Sequence, residues 1–148
     1  MMDHLEIGYC GLFCGNCVIR NGKIGLLSNK LLTCTQSPDF QKMAEGLPQA
    51  MPDMFETLKD FQLFQGVLKA MTHLDCVKMC KEGGGSSGCR IRLCCQAKGF
   101  DGCWHCNEFN DCEIVDWLNP VHGGANIQHI VRIREIGIHE FLKEKNDR

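Results

Sequence analysis

The sequence predicts a mainly α protein, a small helical domain with an irregular, metal-stabilised cysteine-rich region of short zinc-knuckle-like turns or hairpins. Three observations predict it. Between Pro52 and Leu74 the apolar residues recur at three- and four-residue steps, the period of an amphipathic helix. No alternation of strand and helix patterns runs along the chain, which argues against a Rossmann sheet or a barrel. Eight of the twelve cysteines fall between Cys76 and Cys112, among charged residues and glycines. That stretch has too few apolar side chains to close a core of its own, so thiolates on a metal are expected to hold it.

Taken in order, the first element is Tyr9-Cys10-Gly11-Leu12-Phe13-Cys14-Gly15-Asn16-Cys17, where glycines beside the thiols permit tight turns. Residues 18–32 fit a helix imperfectly, with Gly22 and Gly25 weakening it. Ser37-Pro38-Asp39 reads as a helix start, Ser37 the cap and Pro38 in the first turn, and that helix is expected to end near Gly46-Leu47-Pro48. Residues 52–74 are expected to form one helix with Phe61 and Phe64 in the core, leading straight into Asp75-Cys76. Its stripe of aromatic and methionine side chains reads as core rather than as a ligand cavity, since burying each such side chain stabilises by roughly 1.5–3 kcal/mol. The run Gly83-Gly84-Gly85-Ser86-Ser87-Gly88 is followed by no Gly-Lys-Ser/Thr and preceded by no apolar strand. It reads as a flexible connector between two ligand pairs. Ile114, Val115, Trp117 and Leu118 mark a short helix stopping before Pro120, and His122-Gly123-Gly124 a loop. Ile127 to Ile136 and Ile138 to Lys145 mark two closing helices separated at Gly137.

A chain of 148 residues is sized for one domain, here residues 1–148, with the metal-binding region at 76–112 joined by the cysteines of 10–17. The net charge is −2, and no face collects a long run of Lys or Arg, so nucleic acid is not an expected partner. The start, with Asp3 and Glu6, does not read as a signal peptide, and no apolar run reaches the roughly 20 residues that span a bilayer. A cytoplasmic protein without a membrane partner is expected, its thiols reduced and ligating metal rather than paired as disulfides.

Structural zinc takes four thiolate or imidazole ligands, usually supplied as close pairs. Cys14-x-x-Cys17 and Cys103-Trp104-His105-Cys106 have the spacing that lets two sulfurs reach one ion from a single turn. Cys76-x-x-x-Cys80 and Cys89-x-x-x-x-Cys94 are looser pairs. Together these supply eight ligands, enough for two closed sites and roughly two zinc ions per chain, with Cys10 and Cys112 left to substitute or to complete a further site. How the ten thiols divide between sites is not fixed by their spacing. Cys34 and Cys95 lack a spaced partner and read as buried thiols. His105 reads as an exposed side chain, and His73, His122, His129 and His139 carry no role. Lys78, Lys81, Arg90, Arg92 and Lys98 are either donors toward sulfur or solvated surface charges.

YCGLFC near the N-terminus, C-R-I-R-L-C over residues 89–94, KGF over 98–100, C-W-H-C-N-E-F over 103–109 and the closing R-E-I-G-I-H-E-F-L resemble the prokaryotic family known as domain of unknown function 3795. The resemblance runs from Tyr9 to the C-terminal helix. It implies a cysteine-rich protein that binds zinc, without an established activity. Two departures stand out: Cys76-Val77-Lys78-Met79-Cys80 replaces the family's C-x-G-C, and Glu108-Phe109-Asn110-Asp111-Cys112 lengthens its proline-containing ending.

The leading functional expectation is a metal-binding protein, with zinc folding the cysteine region and presenting a surface to a partner such as a protein. The alternative is an iron–sulfur electron-transfer or redox protein. Cys10-x-x-x-Cys14-x-x-Cys17 matches the cluster signature of radical enzymes, but the chain is too short for their barrel and lacks its βα repeats. A redox pair at Cys103 and Cys106 would normally follow a strand, and no strand pattern precedes it. No paired carboxylates, nucleophile–base motif or cofactor fingerprint supports hydrolysis or group transfer, so no catalytic residue is assigned.

Overall fold

The computed structural model describes residues 4–147, and its described residues are mainly helical with no sheet among them. They form two compact units. One contains the chain up to Arg20 and again from Val77 onward, and the other runs from Asn21 to Cys76. Among the described residues no helix is long and apolar enough to cross a membrane.

The 21–76 unit is built from α1 (Lys23–Thr35), α2 (Pro38–Ala50), α3 (Pro52–Phe55) and α4 (Phe61–Met71). Helix α1 begins later than its apolar pattern suggested. Gly22 caps it in a left-handed conformation (φ 63°), and Gly25 lies where α1 approaches the carbonyls of Thr72 and Leu74. Ser37 caps α2 as expected, its hydroxyl oxygen accepting the N–H of Phe40 at 3.2 Å, with Pro38 in the first turn. The helix does not stop at Gly46–Pro48 but runs through Pro48 to Ala50. Pro48 forfeits one backbone bond in the last turn, and its ring is buried.

The stretch 52–74 is not one helix. A 3₁₀ turn, Glu56–Asp60, separates α3 from α4, and α4 ends at Met71. Phe55, Leu58 and Phe61 are spaced by threes, and side chains three apart eclipse on a 3₁₀ turn, so this geometry keeps them on one side. Phe61 is 8% exposed and packs on Phe40 (ring centroids 5.3 Å apart), but Phe64 is 44% exposed. Only Phe61 and Leu68 of α4 are buried. Phe64 and Val67 instead line an open groove of about 530 Å³ with Leu31 and Phe40.

The cysteine-bearing unit contains α5 (Arg90–Ala97), two single-turn helices α6 (Glu113–Asp116) and α7 (Asn119–His122), and the closing helices α8 (Ala125–Ile136) and α9 (Ile138–Asn146). The break at Gly137 falls as expected, because its φ of 81° lies in the region that favours glycine. Ile7, Ile91, Cys95, Cys103, Trp104 and Phe109 share one core with Ile130, Ile133, Phe141 and Leu142. The cysteine region therefore does have a hydrophobic core, made jointly with α8 and α9.

Candidate metal centre

Each cysteine turn is tied to the core by the backbone or by a cation. An isolated antiparallel bridge pairs Ile7 with Phe13, and Cys14 N–H donates to the Glu6 carbonyl at 2.7 Å, folding Gly8–Cys14 into a tight loop. Gly11 (φ 84°) presses that loop on α8: a Cβ there would lie 2.8 Å from Ile130 Cγ1 and 3.1 Å from the Asn126 carbonyl oxygen. From α8, His129 Nδ1 donates to the Gly11 carbonyl at 3.1 Å, while Lys145 Nζ donates to Nε2 at 2.9 Å, which fixes the tautomer. The Tyr9 carbonyl accepts the N–H of Cys103 at 2.8 Å, joining this loop to the Cys103–Cys106 turn. That turn is held in its own right, with Arg134 Nη1 donating to the Cys106 carbonyl at 3.0 Å and Nη2 to Asn107 Oδ1 at 3.1 Å.

The glycine run is not a loose connector. Arg92, 7% exposed on α5, donates through Nη1 to the carbonyls of Cys80 (3.2 Å) and Gly84 (2.7 Å), and through Nη2 to that of Ser86 (2.5 Å). Lys81 pairs with Asp101 at 2.9 Å and lies over the rings of Tyr9 and Trp104. These two cations thus act on carbonyls, a carboxylate and aromatic faces. Lys98 pairs with Glu108 at 3.8 Å on the surface.

Nine of the ten thiols of this unit fall in two places. Cys10 and Cys80 bring their sulfurs beside Gly8, each 3.4 Å from where a Cβ would stand there. Cys14 and Cys89 lie close enough for their charges to act on Cys10, and Cys89 acts likewise on Cys80. Burial pushes the Cys10 thiol up to about 12, against a backbone N–H from Leu12 that favours its thiolate. Cys80 is raised for the same reason, and the N–H of Tyr9 opposes it. Backbone N–H groups aimed at sulfur are what a metal thiolate requires.

The second gathering is around one cavity of about 230 Å³, lined by Cys94, Cys95, Cys103, Cys106 and Cys112. Cys95 and Cys103 stand sulfur to sulfur at 3.7 Å. That contact, with burial, raises the Cys103 thiol, while the S–H it supplies lowers Cys95. Among the described residues no three His, Cys, Asp or Glu side chains stand, as placed, in an arrangement that could hold one ion. Thiols are nonetheless the donor set that soft metals select.

Of the ten expected ligands, eight fall in these two groups. Cys17 is half-buried one turn after Cys14, its N–H on the Cys14 carbonyl at 3.2 Å. Cys76 belongs to the other unit, where its carbonyl accepts the N–H of Asn21 at 2.8 Å. Cys95 is buried as expected, at 2% exposure, but Cys34 is exposed on α1 and is not a core thiol. His105 is exposed, as expected. His129, which spacing marked as without a role, anchors the N-terminal cysteine loop, and Arg134 holds the Cys106 turn. No curated protein and no solved structure matches the chain. Residues 6–117, which contain both thiol groups, match the family described as "Protein of unknown function (DUF3795)", and the chain belongs to that family.

Proposed function

We propose that the protein is a cytoplasmic, thiolate metal-binding protein in which zinc has a structural role, folding the cysteine-bearing unit so that it presents a surface to a protein partner. The observation that carries the reading is the approach of the Cys10 and Cys80 sulfurs beside Gly8, with Cys14 and Cys89 near enough to act on Cys10 electrostatically and N–H donors on two of the sulfurs. These four residues would hold the ion. Bound zinc supplies the positive charge that offsets the cost of burying thiolates. The chain supplies the rest: Arg92 fixes the segment that carries Cys80, His129 fixes the loop between Cys10 and Cys14, and Cys89 opens α5.

The test is anaerobic purification followed by metal analysis and chelation at neutral pH. About one zinc per chain is expected at this group, lost in Cys80→Ser and in Cys89→Ser. A structural zinc contributes on the order of 10 kcal/mol to a site absent from the unfolded chain. Chelation should therefore expose thiols and protease sites between Cys80 and Cys112, and should release amide protection in α8 and α9, which share that core. Protection in α1 and α4 should persist. Metal-free protein with mapped disulfides, or chelation that exposes nothing, would refute the reading.

A further inference from the structure

The five-thiol cavity differs from the group beside Gly8 in size and in walls. A single zinc with four sulfurs at ~2.3 Å is a closed polyhedron with sulfurs only about 3.8 Å apart, and it leaves no void inside. The cavity here measures about 230 Å³, many times the ~10–15 Å³ that admits one water. Its remaining lining is largely apolar, including Ile91, Phe100, Phe109 and Ile114, with Lys98 and Glu108 also contributing. A largely apolar chamber lined by soft sulfur donors suits a polynuclear group rather than one ion.

We propose that this cavity is a binding site for an iron–sulfur cluster, ligated by Cys94, Cys103, Cys106 and Cys112. The proposal rests on the reading of these cysteines as metal ligands and goes beyond it by naming a second, different group. Clusters take four cysteine thiolates, and their potentials follow burial and hydrogen bonds to the sulfurs. The Cys103–Cys106 turn supplies two ligands, Cys94 on α5 a third, and Cys112 at the start of α6 the fourth. Cys95 is the fifth thiol. It is buried in the core with its sulfur 3.7 Å from that of Cys103, and either sulfur can donate in that contact. Once Cys103 is bound as a thiolate only Cys95 retains an S–H to give, so it would donate to a ligand sulfur rather than bind iron itself.

The experiment uses the full chain, stripped of metal under argon and reconstituted with a mixture of ferric and ferrous iron and sulfide. A brown product is expected, with iron and acid-labile sulfide in equal amounts, at least about two of each per chain. Cys106→Ser and Cys112→Ser should each lose at least nine-tenths of the visible absorption. Cys14→Ser, in the other group, should keep it. Cys95→Ser should keep the cluster and shift its midpoint potential. If Cys106→Ser or Cys112→Ser does not fold by circular dichroism, Cys14→Ser and the wild-type chain decide: a cluster retained in Cys14→Ser upholds the site, and a cluster lost in Cys14→Ser or a colourless wild-type protein overturns it. Colour undiminished in both folded variants also overturns it. Two zinc ions per chain with no cluster after reconstitution refutes this proposal while leaving the metal-binding reading intact. Absence of any metal at either group refutes both.

Discussion

Replacing Arg92 by Met keeps much of the side-chain volume and removes the guanidinium that holds the carbonyls of Cys80, Gly84 and Ser86. A hydrogen bond to a charged group contributes about 1.5–3 kcal/mol, and the three share one side chain, so they do not add in full. Gly84 is half-buried and Ser86 exposed, so water takes over part of what is lost. The expected cost is about 3–5 kcal/mol, with Arg92→Lys recovering only part of it because an ammonium lacks the planar fork. Anaerobic urea unfolding of metal-loaded protein measures the change, and limited proteolysis within residues 83–88 reports the local effect. Cleavage should be slow in the wild type and fast in Arg92→Met. A stability change below about 1 kcal/mol, or a loop that stays protected in the variant, would show that the turn holds itself and that Arg92 is incidental.

Two further outcomes follow from the packing and from titration. Phe61→Ala should cost about 3–5 kcal/mol and Phe64→Ala less than about 1 kcal/mol, read by thermal or urea unfolding; equal costs would mean that the groove beside Phe64 is closed in solution. His129 is pushed below its ordinary value of 6.5, first by burial and then by the Lys145 ammonium, against the favourable Gly11 carbonyl. The unfolded chain therefore takes up the proton first, and stability should fall as pH is lowered through about 6.5 toward the folded value. His129→Gln should flatten that slope in the pH dependence of urea midpoints, and an identical slope in both proteins would refute it.

Local chemistry was legible in the sequence where it acts over a few residues. The Ser37 cap, Pro38 in the first turn and the break at Gly137 each depend on neighbours three or four positions away. The cysteines were legible as a cluster but not as pairs: Cys89 and Cys94 fall in different groups, Cys17 and Cys76 in neither, and of the four spaced pairs only Cys103 and Cys106 stay together. Their division was not legible, because Cys10 meets Cys80 and Cys103 meets Cys95 through contacts that only the folded core sets. His129 reaches a carbonyl 118 residues away and Arg134 one 28 away, and no short-range spacing reports such partners. The 52–74 stripe misled for a different reason. A run of three-residue steps fits a helix and a 3₁₀ turn equally well, and an apolar face does not state whether it is covered.

The chain leaves the cysteine-bearing unit at Arg20 and re-enters it at Val77. During synthesis at ~5–20 residues per second, Cys10 and Cys14 therefore emerge roughly 4–15 s before Cys89 can join them. For that interval the first two thiols wait without the cysteines they later approach, open to oxidants, while the helical insert is translated. Closing so long a loop costs little more entropy than closing a short one, since the cost grows only with the logarithm of length. The hazard is thus one of timing rather than of energy. On the proposed metal-binding reading, the nascent chain would depend on reducing surroundings until Cys80 and Cys89 arrive, and metal capture would then mark the completion of translation through the insert.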